Sequence, residues 1–114
     1  SRRQRQMCIR DRFFEHALDR CLSDEVQLSR IRDAGLCHGW AGLFQTVWRT
    51  ASEATSPRLA AHLPHLASAL AAHAETGVRG RGLLEGSAGA ALALMTATSD
   101  TAPACGWDTC LLIA

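Results

Sequence analysis

The residues best suited to chemistry in this sequence are an adjacent cysteine and histidine, Cys37 and His38, in the segment GLCHGWAG. A cysteine thiolate and a neutral imidazole are both good ligands for Zn²⁺. At an irregular helix start two neighbouring side chains can converge on one ion, and the free N–H groups there favour a thiolate. The pair therefore indicates a metal site at the mouth of a helix. The alternative is a buried cysteine beside a surface histidine in a packed glycine-rich turn.

Other polar and aromatic residues are weaker candidates for a site. Trp40 is close enough to Cys37 and His38 to line a pocket, and Glu85 takes the position equivalent to His38 in a second, similar segment. Three histidines on a leucine-rich helix have no carboxylate or cysteine beside them, which favours solvated side chains: His62, His65 and His73. The sequence contains no phosphate-binding loop, no Ser-His-Asp order and no paired-carboxylate signature.

The elements that must position these residues are predicted to be helices, because apolar residues recur at three- and four-residue spacing and almost never alternate. A first helix begins near Phe13, and Ser23 or Asp24 can cap a second, short one. A third runs from about residue 39 to 54, and a fourth begins at Ser56-Pro57 and is kinked or restarted by Pro64. A fifth covers 83–97 and carries one apolar stripe: Leu84, Ala88, Ala91, Leu92 and Met95. The predicted fold class is all-α.

Two segments of the chain repeat one another. GLCHGWAGLFQTVW and GLLEGSAGAALALM align without a gap, 47 residues apart, as G-L-x-x-G-x-A-G followed by a helix. Such a repeat predicts paired helices, with the glycine-opened helices in an inner layer and the others in an outer layer. The glycines let backbones approach closely where these helices converge.

Charge and cysteine content exclude some classes of function. Residues 1–12 hold five arginines and one aspartate, so the rest of the 114-residue chain is mildly acidic and offers no nucleic-acid surface. No apolar run reaches the roughly 18 residues of a membrane span. The five cysteines follow no secretory signal, so we interpret them as thiols or metal ligands of a cytoplasmic protein.

The basic N-terminal segment differs from the rest of the chain. Residues 1–12, SRRQRQMCIRDR, carry the whole basic excess and little apolar content. We predict that they are non-native or disordered and that the domain comprises residues 13–114. The alternative is a solvated basic arm.

Three motifs in order, GLCHGWAG, GLLEGSAGAALAL and GWDTCLLIA, closely resemble the C-terminal part of lanthionine synthetase C-like proteins, the cyclases of lantibiotic biosynthesis. The likeness covers Gly35 to Ala114 and extends back to about Phe13. It implies an α/α toroid, an inner ring of helices within an outer ring, of which this chain would be the C-terminal part only. The layered arrangement inferred from the repeat agrees with that fold.

The resemblance also implies a site and a reaction. The family binds one zinc ion through two cysteines and one histidine, and Cys37 and His38 match the adjacent pair. The metal lowers the pKa of a cysteine thiol in a dehydrated precursor peptide, and the thiolate adds to a dehydroalanine or dehydrobutyrine of that peptide. The product is a lanthionine or methyllanthionine ring. The implied partners are the precursor peptide and a lanthipeptide dehydratase, either separate or fused to the cyclase.

Several parts of the family site have no counterpart in this sequence. The third zinc ligand is a cysteine on an earlier inner helix, whereas Cys21 lies on an expected outer helix and Cys8 lies in the basic segment. No catalytic acid or base is assigned within the chain. The sequence therefore predicts a C-terminal fragment of a cyclase, which we do not expect to be active alone. Two alternatives stay open: a non-catalytic helical module, and a relative that acts on small thiols such as glutathione.

Overall fold

The structure is a computed structural model, and it is all-α over the residues that it describes, with no strand among them. These are residues 2–37, 39–53, 57–75, 80–84, 86–101, 103 and 106–107, with side chains from residue 12 onward. The helices are α1 Arg2–Leu22, α2 Glu25–Leu28, α3 Trp40–Glu53, a 3₁₀ turn Ala60–His62, α4 Leu63–Ala74 and α5 Ser87–Ser99. The predicted fold class is confirmed. None of the described helices is both long and apolar enough to cross a membrane.

Local sequence signals explain where two of the helices begin. The Asp24 carboxylate accepts hydrogen bonds from the N–H groups of Val26 at 3.1 Å and Gln27 at 3.3 Å, so it caps α2 as predicted. Pro64 lies in the first turn of α4, where its missing N–H costs nothing, and the 3₁₀ turn precedes it. The predicted restart at Pro64 is thus confirmed. The predicted helix start at Pro57 is wrong, because Pro57 lies in a turn, and the predicted cap Ser56 lies outside the described residues.

The core lies between α3, α4 and α5, which pack against one another. Its largest fully buried side chains include Phe44 and Val47 of α3 and Leu66 and Leu70 of α4. The buried Leu22 and the half-buried Leu18 join α1 to this core. The long helix therefore contacts the core with its C-terminal part.

The N-terminal half of α1 lies in the basic segment, residues 1–12, whose composition differs from the rest of the chain. Residues 2–12 have a helical backbone continuous with the rest of α1. Arginine and glutamine are good helix formers, so local hydrogen bonding can extend a helix here without packing. The predicted start of this helix near Phe13 is therefore wrong, and Phe13 and Phe14 are exposed. That residues 1–12 are foreign to the domain stays a prediction.

The predicted apolar stripe of the fifth helix is wrong. Most of that stripe is exposed, with Met95 at 64% exposure, and the buried face consists of small residues instead: Gly89, Ala90, Ala93 and Thr96. The helix is apolar almost all round, so spacing alone could not select a face. Small side chains let α5 come close to α3 and α4, which decides which face turns inward. The helix also begins at Ser87 rather than at residue 83.

Candidate metal centre

The loop before α3 folds back on itself around two glycines. The Asp33 carboxylate accepts a hydrogen bond from the Gly35 N–H at 2.9 Å, and the Asp33 carbonyl accepts one from the Trp40 N–H at 2.8 Å. The Gly39 N–H donates to the Gly35 carbonyl at 3.1 Å. A Cβ atom on Gly39 would meet the Asp33 carbonyl and the Gly35 amide at distances that real Cβ atoms essentially never show. Glycine is therefore required at position 39 by the loop itself.

The loop before α5 repeats this arrangement with the same offset as the sequence. The Ser87 N–H donates to the Gly80 carbonyl at 3.0 Å, and the Gly86 N–H donates to the Gly82 carbonyl at 3.1 Å. They are equivalent, 47 residues later, to the bonds from Trp40 to Asp33 and from Gly39 to Gly35 in the first loop. A Cβ atom on Gly89 would collide with the Leu83 carbonyl. The repeat predicted from sequence is thus also a repeat of hydrogen bonds.

The two loops are joined directly. The Cys37 N–H donates to the Leu84 carbonyl at 2.9 Å, and Cys37 and Leu84 occupy equivalent positions in the two segments. The Leu36 side chain lies against Gly89, where an added Cβ would come within 2.8 Å of its Cγ atom. The second repeat therefore holds the backbone on both sides of the Leu36–Cys37 peptide.

Cys37 is exposed and lies three residues before Trp40, the first residue of α3. The alternative in which Cys37 is a buried thiol is therefore wrong. An exposed sulfur close to a helix N-terminus suits a Zn²⁺ ligand, because the ligand must be a thiolate that an ion can reach. His38 and Glu85, the other predicted site residues of these loops, lie outside the described residues. Within the described part of the chain, no three His, Cys, Asp or Glu side chains come together as a metal site.

Trp40 lies in the core rather than in an open cavity. Its side chain is buried, its indole N–H donates to the Ile31 carbonyl at 3.2 Å, and its ring lies 5.5 Å from that of His73. These contacts fix the first turn of α3 relative to α4, directly after the Cys37 loop. A role for Trp40 in lining a pocket stays a prediction.

The prediction that all three histidines are simply solvated is wrong for two of them, His62 and His73. His62 Nε2 lies 2.8 Å from Asp19 Oδ1, so the two half-buried side chains form a hydrogen bond between α1 and the 3₁₀ turn. His73 Nδ1 lies 2.9 Å from the Ala69 carbonyl. The error has a simple origin, since the carboxylate beside His62 comes from a residue 43 positions earlier. His65 is exposed as predicted.

A cavity lies along α3, away from the loop that precedes this helix. It has a volume of about 730 Å³, and its walls come from the second half of α3, the first half of α4 and the end of α5. Trp48 and Asp100 lie on its wall, and the Trp48 indole N–H donates to Asp100 Oδ1 at 2.9 Å. Trp48 follows Trp40 by eight residues, which is about 12 Å of helix. No signal in the sequence indicated the hydrogen bond between Trp48 and Asp100.

Fold and site together define an all-α repeat protein whose glycine-opened helices place an exposed cysteine at a pair of joined loops. The model of one protein family, described as lanthionine synthetase C-like protein, matches residues 4–112. The chain therefore belongs to the lanthionine synthetase C-like family, a family of cyclase-type enzymes with an α/α-toroid fold. Comparisons with curated proteins and with solved structures gave no significant match.

Proposed function

We propose that this chain is the C-terminal part of a zinc-dependent cyclase that forms lanthionine or methyllanthionine rings in dehydrated precursor peptides. Family membership supports the reaction class. The observation that carries the proposal is the position of Cys37: it is exposed, it lies three residues before α3, and its N–H donates a hydrogen bond to the second repeat. The resemblance of the GLCHGWAG segment to the family motif supports a metal ligand at this position.

In this proposal Cys37 and His38 hold the zinc ion, and a third ligand comes from upstream sequence. When bound, zinc supplies Lewis acidity that lowers the pKa of the peptide's cysteine thiol. The chain's own contribution is rigidity. The bond from the Cys37 N–H to Leu84 and the contact of Leu36 with Gly89 fix the backbone that carries the ligand. Exposure of Cys37 leaves room for an incoming peptide sulfur.

The ring-closing step is an addition within one peptide. The thiol loses its proton, its sulfur forms a bond to the β-carbon of the dehydrated residue, and the electrons of the carbon–carbon double bond move into an enolate. A proton delivered to the α-carbon completes the thioether. We assign neither the acid nor the base to this chain, and we propose that upstream helices provide them. A dehydratase, separate or fused, would supply the unsaturated peptide.

Cobalt binding to the protein extended by its upstream helices tests the ligand assignment. Co²⁺ is the metal probe because thiolate ligation gives it a charge-transfer absorption that zinc lacks. We expect the extended wild-type protein, titrated in the presence of a cysteine-containing peptide, to develop this absorption, and the chain without those helices to bind the metal weakly or not at all. Cys37→Ala should remove most of it. Cys21→Ala is the matched control, because Cys21 is also exposed but lies on α1.

The control decides between the cysteines. If Cys37→Ala keeps the wild-type absorption, or if Cys21→Ala loses as much, Cys37 is not a ligand.

A second experiment tests activity. The protein extended by its upstream helices is incubated with a dehydrated peptide, and the peptide is then alkylated. Ring closure consumes a thiol without changing the peptide's mass, so fewer alkyl groups are found by mass spectrometry. An added glutathione mass on the substrate would instead support action on small thiols.

A further inference from the structure

The loop that carries Cys37 can be compared, residue by residue, with the loop of the second repeat. We call residues 33–37 with 39–42 the first loop and residues 80–84 with 86–89 the second loop. Every residue of the second loop lies 47 positions after its equivalent in the first. Both loops are closed by the same two equivalent backbone hydrogen bonds. Differences between the loops therefore indicate what the first one has beyond the fold that both share.

One difference between the loops is a carboxylate. The first loop begins with Asp33, whose Oδ1 atom accepts a hydrogen bond from the Gly35 N–H at 2.9 Å. The second loop has Gly80 at the equivalent position, with a positive φ of 79°. The second loop therefore turns through the backbone freedom of a glycine, and it has no side chain there to accept the equivalent N–H. Closure of the loop does not by itself require the carboxylate.

A second difference lies in the peptide group that the carboxylate binds. The Gly35 N–H and the Ala34 carbonyl belong to one trans peptide, so they point in opposite directions. The carboxylate binds the N–H, and the Ala41 N–H in the first turn of α3 donates to the carbonyl at 3.3 Å. The next carbonyl, that of Gly35, accepts a hydrogen bond from the Gly42 N–H, also at 3.3 Å. The first loop thus has two additional bonds to α3.

Neither additional bond has an equivalent in the second loop. Among the described residues, the Ala88 N–H does not donate to the Arg81 carbonyl, and the Gly89 N–H does not donate to the Gly82 carbonyl. A hydrogen bond to a charged acceptor polarises a peptide group and makes its carbonyl a better acceptor. The carboxylate and the additional bonds therefore occur together in the loop that carries the candidate ligand, and both are missing from the loop that has Leu84 in place of the cysteine.

We infer that Asp33 is a positioning residue of the proposed metal site, an inference that rests on the proposed ligand role of Cys37. Gly35 lies two residues before Cys37, and the buried Leu36 between them packs on Gly89. The carboxylate therefore anchors the Gly35 side of this segment to α3, while the Cys37 N–H anchors the other side to the second repeat. A segment held at both ends presents the exposed thiol in one position, so metal binding does not have to order it.

The Co²⁺ affinity of the protein extended by its upstream helices, measured from the thiolate absorption with a cysteine-containing peptide present, tests this role. Asp33→Ala should weaken Co²⁺ binding about tenfold, the lower end of the loss that is typical when a group that orients a ligand is removed. At saturating Co²⁺ the absorption should still reach the wild-type intensity, because the ligands are unchanged. Asp33→Asn should bind within about threefold of the wild type, because an amide oxygen accepts the same hydrogen bond.

Asp24→Ala is the matched control. The Asp24 carboxylate also accepts a hydrogen bond from the N–H two residues later, that of Val26, but it caps α2 and lies outside the loop. This variant should be less stable in urea unfolding and should keep the wild-type Co²⁺ affinity. If Asp33→Ala loses helical content in circular dichroism, Asp33→Gly replaces it, because the second loop closes with Gly80 at this position.

The possible results distinguish a failure of this inference from a failure of the proposed function. An extended wild-type protein that binds no Co²⁺ through Cys37 would refute the ligand assignment, and the role of Asp33 with it. Wild-type affinity in Asp33→Ala would overturn only the role of Asp33. An equal loss of affinity in Asp24→Ala would also overturn it, because lower stability alone would then weaken the site. So would an equal loss in Asp33→Asn, because the charge rather than the hydrogen bond would then be responsible.

Discussion

Replacing Gly89 by alanine should weaken the junction between the two loops. The added Cβ would lie 2.8 Å from Leu36 Cγ and 2.9 Å from Leu36 Cδ1, and it would collide with the Leu83 carbonyl of its own loop. The leucine side chain can move slightly, but the carbonyl belongs to backbone that the loop hydrogen bonds hold. The loop and α5 would therefore have to separate, and Leu36 would shift together with the neighbouring Cys37.

The expected loss of stability follows from two opposing terms. Overpacking at a tight site costs about 1–3 kcal/mol. Alanine in place of glycine within a helix returns about 0.5–1 kcal/mol. We therefore expect a net loss of about 1–2 kcal/mol, equivalent to a fall in Tm of roughly 4–8 °C per kcal/mol for a domain of this size.

Gly82→Ala provides the matched control, because a Cβ on Gly82 would meet no heavy atom within 4 Å. It should leave stability unchanged or raise it by up to about 1 kcal/mol through the unfolded state. Thermal and urea unfolding of both variants, followed by circular dichroism, measures the difference. Equal stability of Gly89→Ala and Gly82→Ala would refute the close approach of the two loops.

Three further predictions concern other parts of the chain. Asp100 has a left-handed backbone, φ 51°, and accepts a hydrogen bond from the Trp48 indole N–H. Asp100→Ala should therefore lower the free energy of unfolding by about 1–2 kcal/mol and change tryptophan fluorescence, whereas Asp100→Asn should lower it much less. Equal losses of stability in the two variants would contradict this account. A double-mutant cycle on Asp19 and His62, measured by urea unfolding, should give a coupling energy of about 0.5–1 kcal/mol because both side chains are only half buried; zero coupling would mean that the pair does not form in solution. Deleting residues 1–12 should lower the stability measured by thermal unfolding by no more than about 1 kcal/mol, and a larger fall would show that they belong to the domain.

Much of the fold could be predicted from local signals. The cap at Asp24, the restart at Pro64 and the limits of α3 depend on short-range backbone chemistry, which the sequence displays directly. The candidate ligand Cys37 was also found from its neighbours in sequence. The partner of His62 could not be found in that way, because Asp19 reaches it only once α1 and the 3₁₀ turn have packed together.

The sequence by itself determined the helices, the repeat and the glycine positions, because each depends on contacts within a few residues or on an offset that can be counted. Only the tertiary structure decided which face of α5 is buried. That helix is apolar on nearly every side, so its periodicity favours no face, and close packing on α3 and α4 selects the small residues. The same packing brings the Cys37 N–H to the Leu84 carbonyl. The exposed stripe of α5 is the consequence, since the larger side chains are left on the outside.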